Sequence, residues 1–483
     1  MRYAYPVVLW GSLSLMVALS RDFGVTWDED VQQEYGQLVF RYFASAFDDQ
    51  SALSFKNLYF YGGMFDLLCV LVQKVVPADP YVVRHVINSV FGWLGIVFCG
   101  KLASRLFGVR AGLLAMGLLA LSPRYFGDSM NNPKDIPFAA MSAVVLYCLS
   151  KIQPHFPYLS RAGATRLAVA LALAINARAG GILYLCYTAA LIAVSMVRDK
   201  NLSPRNVWSA GWQLALISAA AIVLGTTFWP WAHMQPLLKP FEALREFAKF
   251  DASLFVLYRG QYVPADALPP DYPFYYLLIT TPPVVLIGLV FGFAATIGSA
   301  RERFWLISLW VAVLFPLMYV AIRGSTLYDG IRHLLFVYPP LVVLAAAGWM
   351  TLFRWTDGSS TRFVLAAVLI AGLLEPLVFQ LRNHPNQIVY FNQFVGGPRG
   401  AFGRFELDYW GNSLLQAVEW TASAARHSSR VLNISAGTPD NVVKLDAHRY
   451  SAAVRFVNRD ETPDHLRIQL LRHSPEQLAA LIR

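Results

Sequence analysis

The chain has 483 residues, of which 56% are hydrophobic and only 14% are charged, with a formal net charge of +10. A soluble globular protein carries roughly 25% charged residues, so the composition excludes that class and indicates a polytopic membrane protein. The basic excess falls largely in short loops between apolar runs, where membrane topology accounts for it; the expected partner is the lipid bilayer, and nucleic acid is not expected.

The first apolar run, 5–20, has the look of a signal peptide, but the many later runs favour an uncleaved signal-anchor. Three adjacent carboxylates follow it at once: Asp28, Glu29 and Asp30, after Thr26 and Trp27. Charge is costly beside a bilayer, so acids at the mouth of a span are functional candidates; a solvated acidic loop is the plain alternative. Gln32 to Phe47 has the apolar–polar mix of an interfacial helix. Ten further runs of near-span length follow at 81–100, 109–123, 136–150, 166–179, 181–197, 210–229, 273–297, 304–322, 333–352 and 362–381, about eleven spans in all.

One more apolar run, Leu58 to Val76, is ambiguous, and charge decides it. If it does not span and the N-terminus is cytoplasmic, five loops lie on the cytoplasmic side. They carry Lys101, Arg105 and Arg110; Lys151, Arg161 and Arg166; Arg198, Lys200 and Arg205; Arg301 and Arg303; and Arg354 and Arg362. All five are basic, as the positive-inside rule requires. Residues 31–76 are therefore expected to lie on, or dip into, the outer face. The outer segments are then 21–80, 124–135, a short turn near Arg178, 230–272, 323–332 and the tail from 382. Loop 230–272 shows no clear strand pattern and holds an amphipathic stretch, Phe241 to Tyr258. The tail is more polar. Alternation at Arg430–Ser435 and His465–Leu471 suggests strands, and Pro475–Ile482 a last helix. The domain plan is thus a transmembrane domain, 1–381, and a small mixed α/β outer domain, 382–483. The four cysteines, Cys69, Cys99, Cys148 and Cys186, all lie in apolar segments and are expected as buried thiols rather than disulfides.

Three outer segments carry the chemistry. One holds Trp27, Asp28 and Glu29. The second, Asp128 through Pro137, places Asp135 at the start of a span, where an acid also offsets the helix dipole. The third holds Tyr328, Asp329, Arg332 and His333. Arg178, between two apolar runs, and Lys56 add cations on the same side; snorkelling or interfacial anchoring is the alternative for these basic residues. There is no Walker loop, GxGxxG, CxxC pair or HExxH, so neither nucleotide chemistry nor a cofactor is expected. The Asp28–Asp30 run supplies the oxygen ligands that would suit a divalent cation.

In this order and topology the residues resemble lipid-carrier-dependent glycosyltransferases of the GT-C fold, a group that includes protein O-mannosyltransferases and the aminoarabinose transferase of lipid A. The Asp28–Glu29 pair resembles that family's acidic pair after the first span. Asn132 through Pro137 resembles its second outer loop, and Arg332 through Pro340 its Arg-Tyr element, with His333 replacing Tyr. Tyr258 through Pro264, Leu268 through Pro273 and Leu407 through Gly411 are similar to bacterial proteins of glycosyltransferase family 39. Gln32 and Gln33 depart from the eukaryotic O-mannosyltransferases, which tend to have His near the pair; this tells against a protein Ser/Thr acceptor.

The resemblance implies an all-α, GT-C-like membrane domain in a bacterial inner membrane, with the tail domain periplasmic. It implies an inverting transfer of a sugar from a polyprenyl-phosphate donor to a glycan, lipid or protein acceptor. Asp28 would act as base, with Glu29 and Asp135 beside it in the catalytic set. Arg332, His333, Arg178 and Lys56 would hold the donor phosphate. Tyr262 and Trp231, in loop 230–272, would meet the acceptor by stacking and hydrogen bonding. Two rival classes share the charge pattern: a transporter or flippase of a lipid-linked or anionic solute, and a non-enzymatic assembly protein working through its tail.

Overall fold

The structure, a computed structural model, describes residues 4–248, 254–300, 302–437, 440–457, 466–468 and 470. Each of the eleven expected runs falls on helix. In a bilayer a backbone must satisfy its own hydrogen bonds, and a helix does so within one segment. After α1 (Ala4–Leu19), the chain forms α2 (Glu29–Ala44) and α3 (Met64–Gln73), then returns as α4 (Pro80–Phe107), α5 (Val109–Ala120), α6 (Pro123–Asn131) and α7 (Asp135–Ile152). Helices α8 (Arg161–Ala177), α9 (Leu183–Arg198) and α10 (Pro204–Thr226) follow.

Loop 230–272 holds a single turn, α11 (Pro230–His233), a helix, α12 (Lys239–Ala248), and an antiparallel hairpin of β1 (Phe255–Tyr258) and β2 (Gln261–Pro264). This corrects the expectation of a strandless loop. Four-residue strands are too short for periodicity to reveal, and Arg259 and Gly260, both at positive φ, make the turn between them. Then come α13 (Tyr272–Thr280), α14 (Pro283–Gly298), α15 (Arg303–Arg323), α16 (Tyr338–Trp355) and α17 (Ser359–Arg382).

Among the described residues seven helices are long and apolar enough to cross a membrane, or eight if α13 and α14 count as one span. Those two are bent by 118°, so the run 273–297 is not a straight span. The cause is Thr281-Pro282-Pro283: prolines lack the N–H and hold the preceding residue extended. Asn392 satisfies the freed backbone. Its Nδ2 donates to the carbonyls of Leu278 (2.7 Å) and Thr281 (2.9 Å), and its N–H donates to that of Ile279 (2.8 Å). Helix α3, ten residues long, reaches only about 15 Å, which agrees with a segment 58–76 that does not span.

The helices bring the loops together at two ends. At one end the five basic loops are linked in series. Arg105 donates to the Ser150 carbonyl at 2.9 Å, Gln153 to Ser195, Arg354 pairs with Glu302 at 2.9 Å, and Arg198 lies over Phe304 at 4.2 Å. The described parts of the segments expected on the outer side gather at the opposite end.

Residues 384–412, including a short α18 (Gly397–Ala401), pack onto that end, where Asn412 Oδ1 accepts from Gly24 N at 3.0 Å. Beyond them α19 (Ser413–Ser428), β3 (Leu432–Ala436), α20 (Asp440–His448), β4 (Val454–Phe456) and β5 (Leu466–Ile468) form a small α/β unit. Its sheet is parallel, with β3 central, around Val418, Ile434, Val442 and Val454. The strands expected at 430–435 and 465–471 are β3 and β5; the helix expected at 475–482 lies outside the described residues. All four cysteines are free thiols. Cys69 and Cys99 are buried, but Cys186 is exposed on the bundle surface, where an apolar side chain can face lipid.

Candidate active site

The acidic loop leads into the first turn of α2. Glu29 accepts hydrogen bonds from Thr26 N (2.8 Å) and Thr26 Oγ1 (3.1 Å), and its Oε1 lies 3.0 Å from His85 Nε2. It is buried and committed to the fold; its part is to hold the loop. Asp30 accepts from the Tyr81 hydroxyl at 3.1 Å. Asp28, whose side chain is 37% exposed, faces Lys134 Nζ at 3.4 Å. The three carboxylates therefore turn to three different partners. Among the described residues no group of three or more His, Cys, Asp or Glu side chains is arranged to hold a metal ion.

Asp135 opens α7 and is buried between two guanidiniums, with Arg178 at 2.6 Å and Arg332 at 3.7 Å. Asn132 fixes it from behind: its Oδ1 accepts from the Asp135 N–H at 3.1 Å, and its Nδ2 bridges Asp135 (3.0 Å) and Asp128 (2.9 Å). Arg178 is placed by the end of α8, where the chain turns extended before two glycines. Arg332 follows a turn through Asp329 and Gly330, both at positive φ. Its guanidinium pairs with Asp329 at 3.0 Å and lies between the rings of Tyr328 (4.7 Å) and Trp410 (4.8 Å). His333 sits edge-on to Tyr328, with ring centroids 4.6 Å apart. Asp128 is buried beneath and accepts from Trp410 Nε1 at 3.1 Å. Burial pushes its carboxyl up to about 6, against the pull of the Asn132 and Trp410 hydrogen bonds.

A cavity of about 250 Å³ opens beside these cations, lined by Tyr61, Arg178, Tyr328, His333, Phe247 and Phe315. Phe315 and Tyr319 also line a larger apolar groove of about 740 Å³ along α14 and α15, walled by Phe293, Trp310 and Leu314 among others. Arg178 and His333 stand on the wall of the cavity, and the groove is apolar but for Thr296 and Arg323.

No protein-family model matches the chain, and no curated protein matches it significantly. Solved structures do. ArnT from Cupriavidus metallidurans in the apo state is 14% identical with a TM-score of 0.56, over 96% of this chain and 87% of that one. The same protein bound to undecaprenyl phosphate is 14% identical with a TM-score of 0.54, over 95% of this chain and 86% of that one. The apo Archaeoglobus fulgidus oligosaccharyltransferase is 12% identical with a TM-score of 0.51, over 95% of this chain and 66% of that one.

The chain has the GT-C fold.

Within that fold, Asp28, Asp135, Arg178, Arg332 and His333 come to one place at the end of the bundle. Lys56 does not join them. It is exposed at the rim and paired with Glu34 at 3.8 Å. The cation that does join is Lys134, which the sequence reading passed over although it stands inside the quoted motif next to Asp135; its signal was that adjacency. Tyr61 and Trp410 were likewise missed as contacts of the cations. The two residues expected at the acceptor lie apart from the cavity. Trp231 packs on Phe60 at 5.0 Å beneath Lys239, and Tyr262 stands on the hairpin, whose β1 bridges to Phe405. The part of loop 230–272 that does line the cavity is α12, through Leu244 and Phe247. The described residues of the expected stretch 241–258 include a helix that walls the cavity and a strand that packs elsewhere.

Proposed function

We propose that this protein is an inverting glycosyltransferase that moves a sugar from a polyprenyl-phosphate donor to an acceptor at the outer face of the membrane. The observation that carries the reading is the cluster of three cations, Lys134, Arg178 and Arg332, with a partly exposed carboxylate, Asp28, beside an apolar cavity that Arg178 lines and that shares Phe315 and Tyr319 with a groove along α14 and α15. A phosphate with a polyprenyl tail has this shape: an anionic head for the cations and a long hydrocarbon for the groove. The structures with undecaprenyl phosphate on ArnT, and with a dolichol phosphate and an inhibitory peptide on the archaeal oligosaccharyltransferase, support a lipid phosphate as the ligand class.

The chemistry follows from these side chains. Asp28 takes the proton of the acceptor hydroxyl. The acceptor oxygen bonds to the anomeric carbon from the face opposite the phosphate, and the bond from that carbon to the phosphate oxygen breaks. The electron pair leaves with polyprenyl phosphate, on which Arg178 and Arg332 stabilise the developing charge. Asp135, doubly paired and buried, keeps the two guanidiniums in place. In this reading the N-terminus is cytoplasmic, residues 1–381 form the catalytic domain, and the tail from 382 lies in the periplasm of a bacterial inner membrane. The acceptor is a glycan, lipid or protein.

Purified protein supplied with a polyprenyl-phosphate sugar tests the reading. Acceptor-dependent release of polyprenyl phosphate is the expected activity. Asp28→Asn keeps the shape and removes the base, so turnover falls by about a hundredfold or more while undecaprenyl phosphate still binds. Near-normal turnover in that variant overturns the assignment of the base.

A further inference from the structure

Beside the cavity the cations are already paired. Lys134, Arg178 and Arg332 face Asp28, Asp135 and Asp329, three charges against three. An entering phosphate must therefore take a cation from a carboxylate, and the pairs differ in how firmly they hold. Asp135 is about 1% exposed and has Arg178 at 2.6 Å; Asp329 has Arg332 at 3.0 Å, itself held between two rings. The Lys134–Asp28 contact is longer, 3.4 Å, and its side chains are 15% and 37% exposed. A pair open to solvent on one side contributes little. Lysine is also a point charge on a flexible stem, whereas arginine is a fixed fork. Lys134 and Arg178 also share a ring: Lys134 Nζ is 4.6 Å from the Tyr61 centroid and the Arg178 guanidinium 6.0 Å.

We infer that Lys134 is a shared cation that passes from Asp28 to the donor phosphate during transfer, coupling deprotonation of the acceptor to departure of the leaving group. The inference rests on the glycosyltransferase reading and adds a charge account to it. The sugar-linked phosphate is a diester with one negative charge; the released polyprenyl phosphate is a monoester that carries a second charge near neutral pH, as other phosphomonoesters do. Asp28 goes from one negative charge to none as it takes the acceptor's proton. The negative charge that disappears at Asp28 appears on the phosphate, and one lysine movement follows it. The net charge of the site stays constant throughout, which in a low-dielectric pocket avoids the cost of an unpaired ion.

A zero-length carbodiimide cross-link reads the contact directly, because it joins a lysine to a touching carboxylate. In lipid-free protein, mass spectrometry should find the Asp28–Lys134 amide. Saturating undecaprenyl phosphate, added to mimic the state after transfer, should remove most of it, while carbodiimide capture of Asp28 by added glycine ethyl ester rises. The Lys239–Glu242 link, a pair at 2.8 Å whose side chains do not line the cavity, is the internal control and should not change. Binding is read separately as a thermal shift of the same sample. A cross-link that persists with lipid bound overturns the inference. Loss of both the cross-link and the ester capture also overturns it, since the lipid would then merely cover Asp28. If undecaprenyl phosphate does not bind at all, the glycosyltransferase reading itself fails.

Discussion

Arg332 and Arg178 share a carboxylate but not a setting. Arg332 has Asp329 and two flanking rings; Arg178 has Asp135 at 2.6 Å and only the more distant Tyr61 ring. Lysine at position 332 would keep the charge and lose the planar stacking and the fork. Arg332→Ala should weaken undecaprenyl-phosphate binding by roughly a hundredfold, on the order of 3 kcal/mol for removing one partner of a buried pair. Arg332→Lys should recover only part of it, as a titration of both variants would show. Asp128 gives a stability signature. Burial raises its carboxyl to about 6, so the folded state favours the protonated form. Its contribution is therefore fully present below the ordinary carboxylate pKa near 4 and is lost as pH rises from there through about 6. Asp128→Asn, which keeps the Trp410 acceptor, should flatten that part of the melting-temperature profile between pH 4 and 7 in detergent. An unchanged slope would show that the carboxyl titrates normally.

At the scale of elements, α14 and α16 approach each other backbone to backbone. A Cβ on Gly348 would stand 1.9 Å from the Gly288 carbonyl oxygen, and the obstacle is backbone, which cannot swing aside. Small residues are what permit such contact between membrane helices. Gly348→Ala should lower the melting temperature by several degrees, with overpacking costing about 1–3 kcal/mol. Gly211→Ala in α10, where nothing lies within 4 Å, is the matched control and should be neutral or slightly stabilising. The α13–α14 break shows how an element becomes irregular in a membrane without leaving polar groups bare: Thr281-Pro282-Pro283 opens the helix, and one asparagine 111 residues from Thr281 closes the account.

For the whole molecule, the two ends carry the topological prediction. The five basic loops are linked at one end and the candidate site residues stand at the other, so the positive-inside rule predicts which end faces outward. In a background without the native cysteines, an impermeant maleimide applied from outside should label Arg426→Cys and miss Ser160→Cys. Both positions are exposed, on α19 and before α8 respectively. The reverse pattern would place the candidate site on the cytoplasmic side and remove the lipid-carrier reading.

The sequence by itself determined the membrane class, the positions of eleven helical segments and the grouping of their loops, because apolar length and basic-residue parity are local properties that lipid and membrane potential read directly. It also picked out Asp28, Asp135, Arg178 and Arg332, because charge at the mouth of a span is conspicuous. It did not decide which neighbours of those residues matter. Glu29 looked like half of a catalytic pair until His85 and Thr26 were seen to hold it. Lys56 stood among the phosphate candidates and Lys134 did not, until the fold put Lys134, 106 residues from Asp28, against that acid and left Lys56 at the rim. Loop 230–272 offered Trp231 and Tyr262 as ligands, and packing placed α12 at the cavity instead. Pairings between distant segments depend on helix crossing and loop path, and neither leaves a mark in local periodicity.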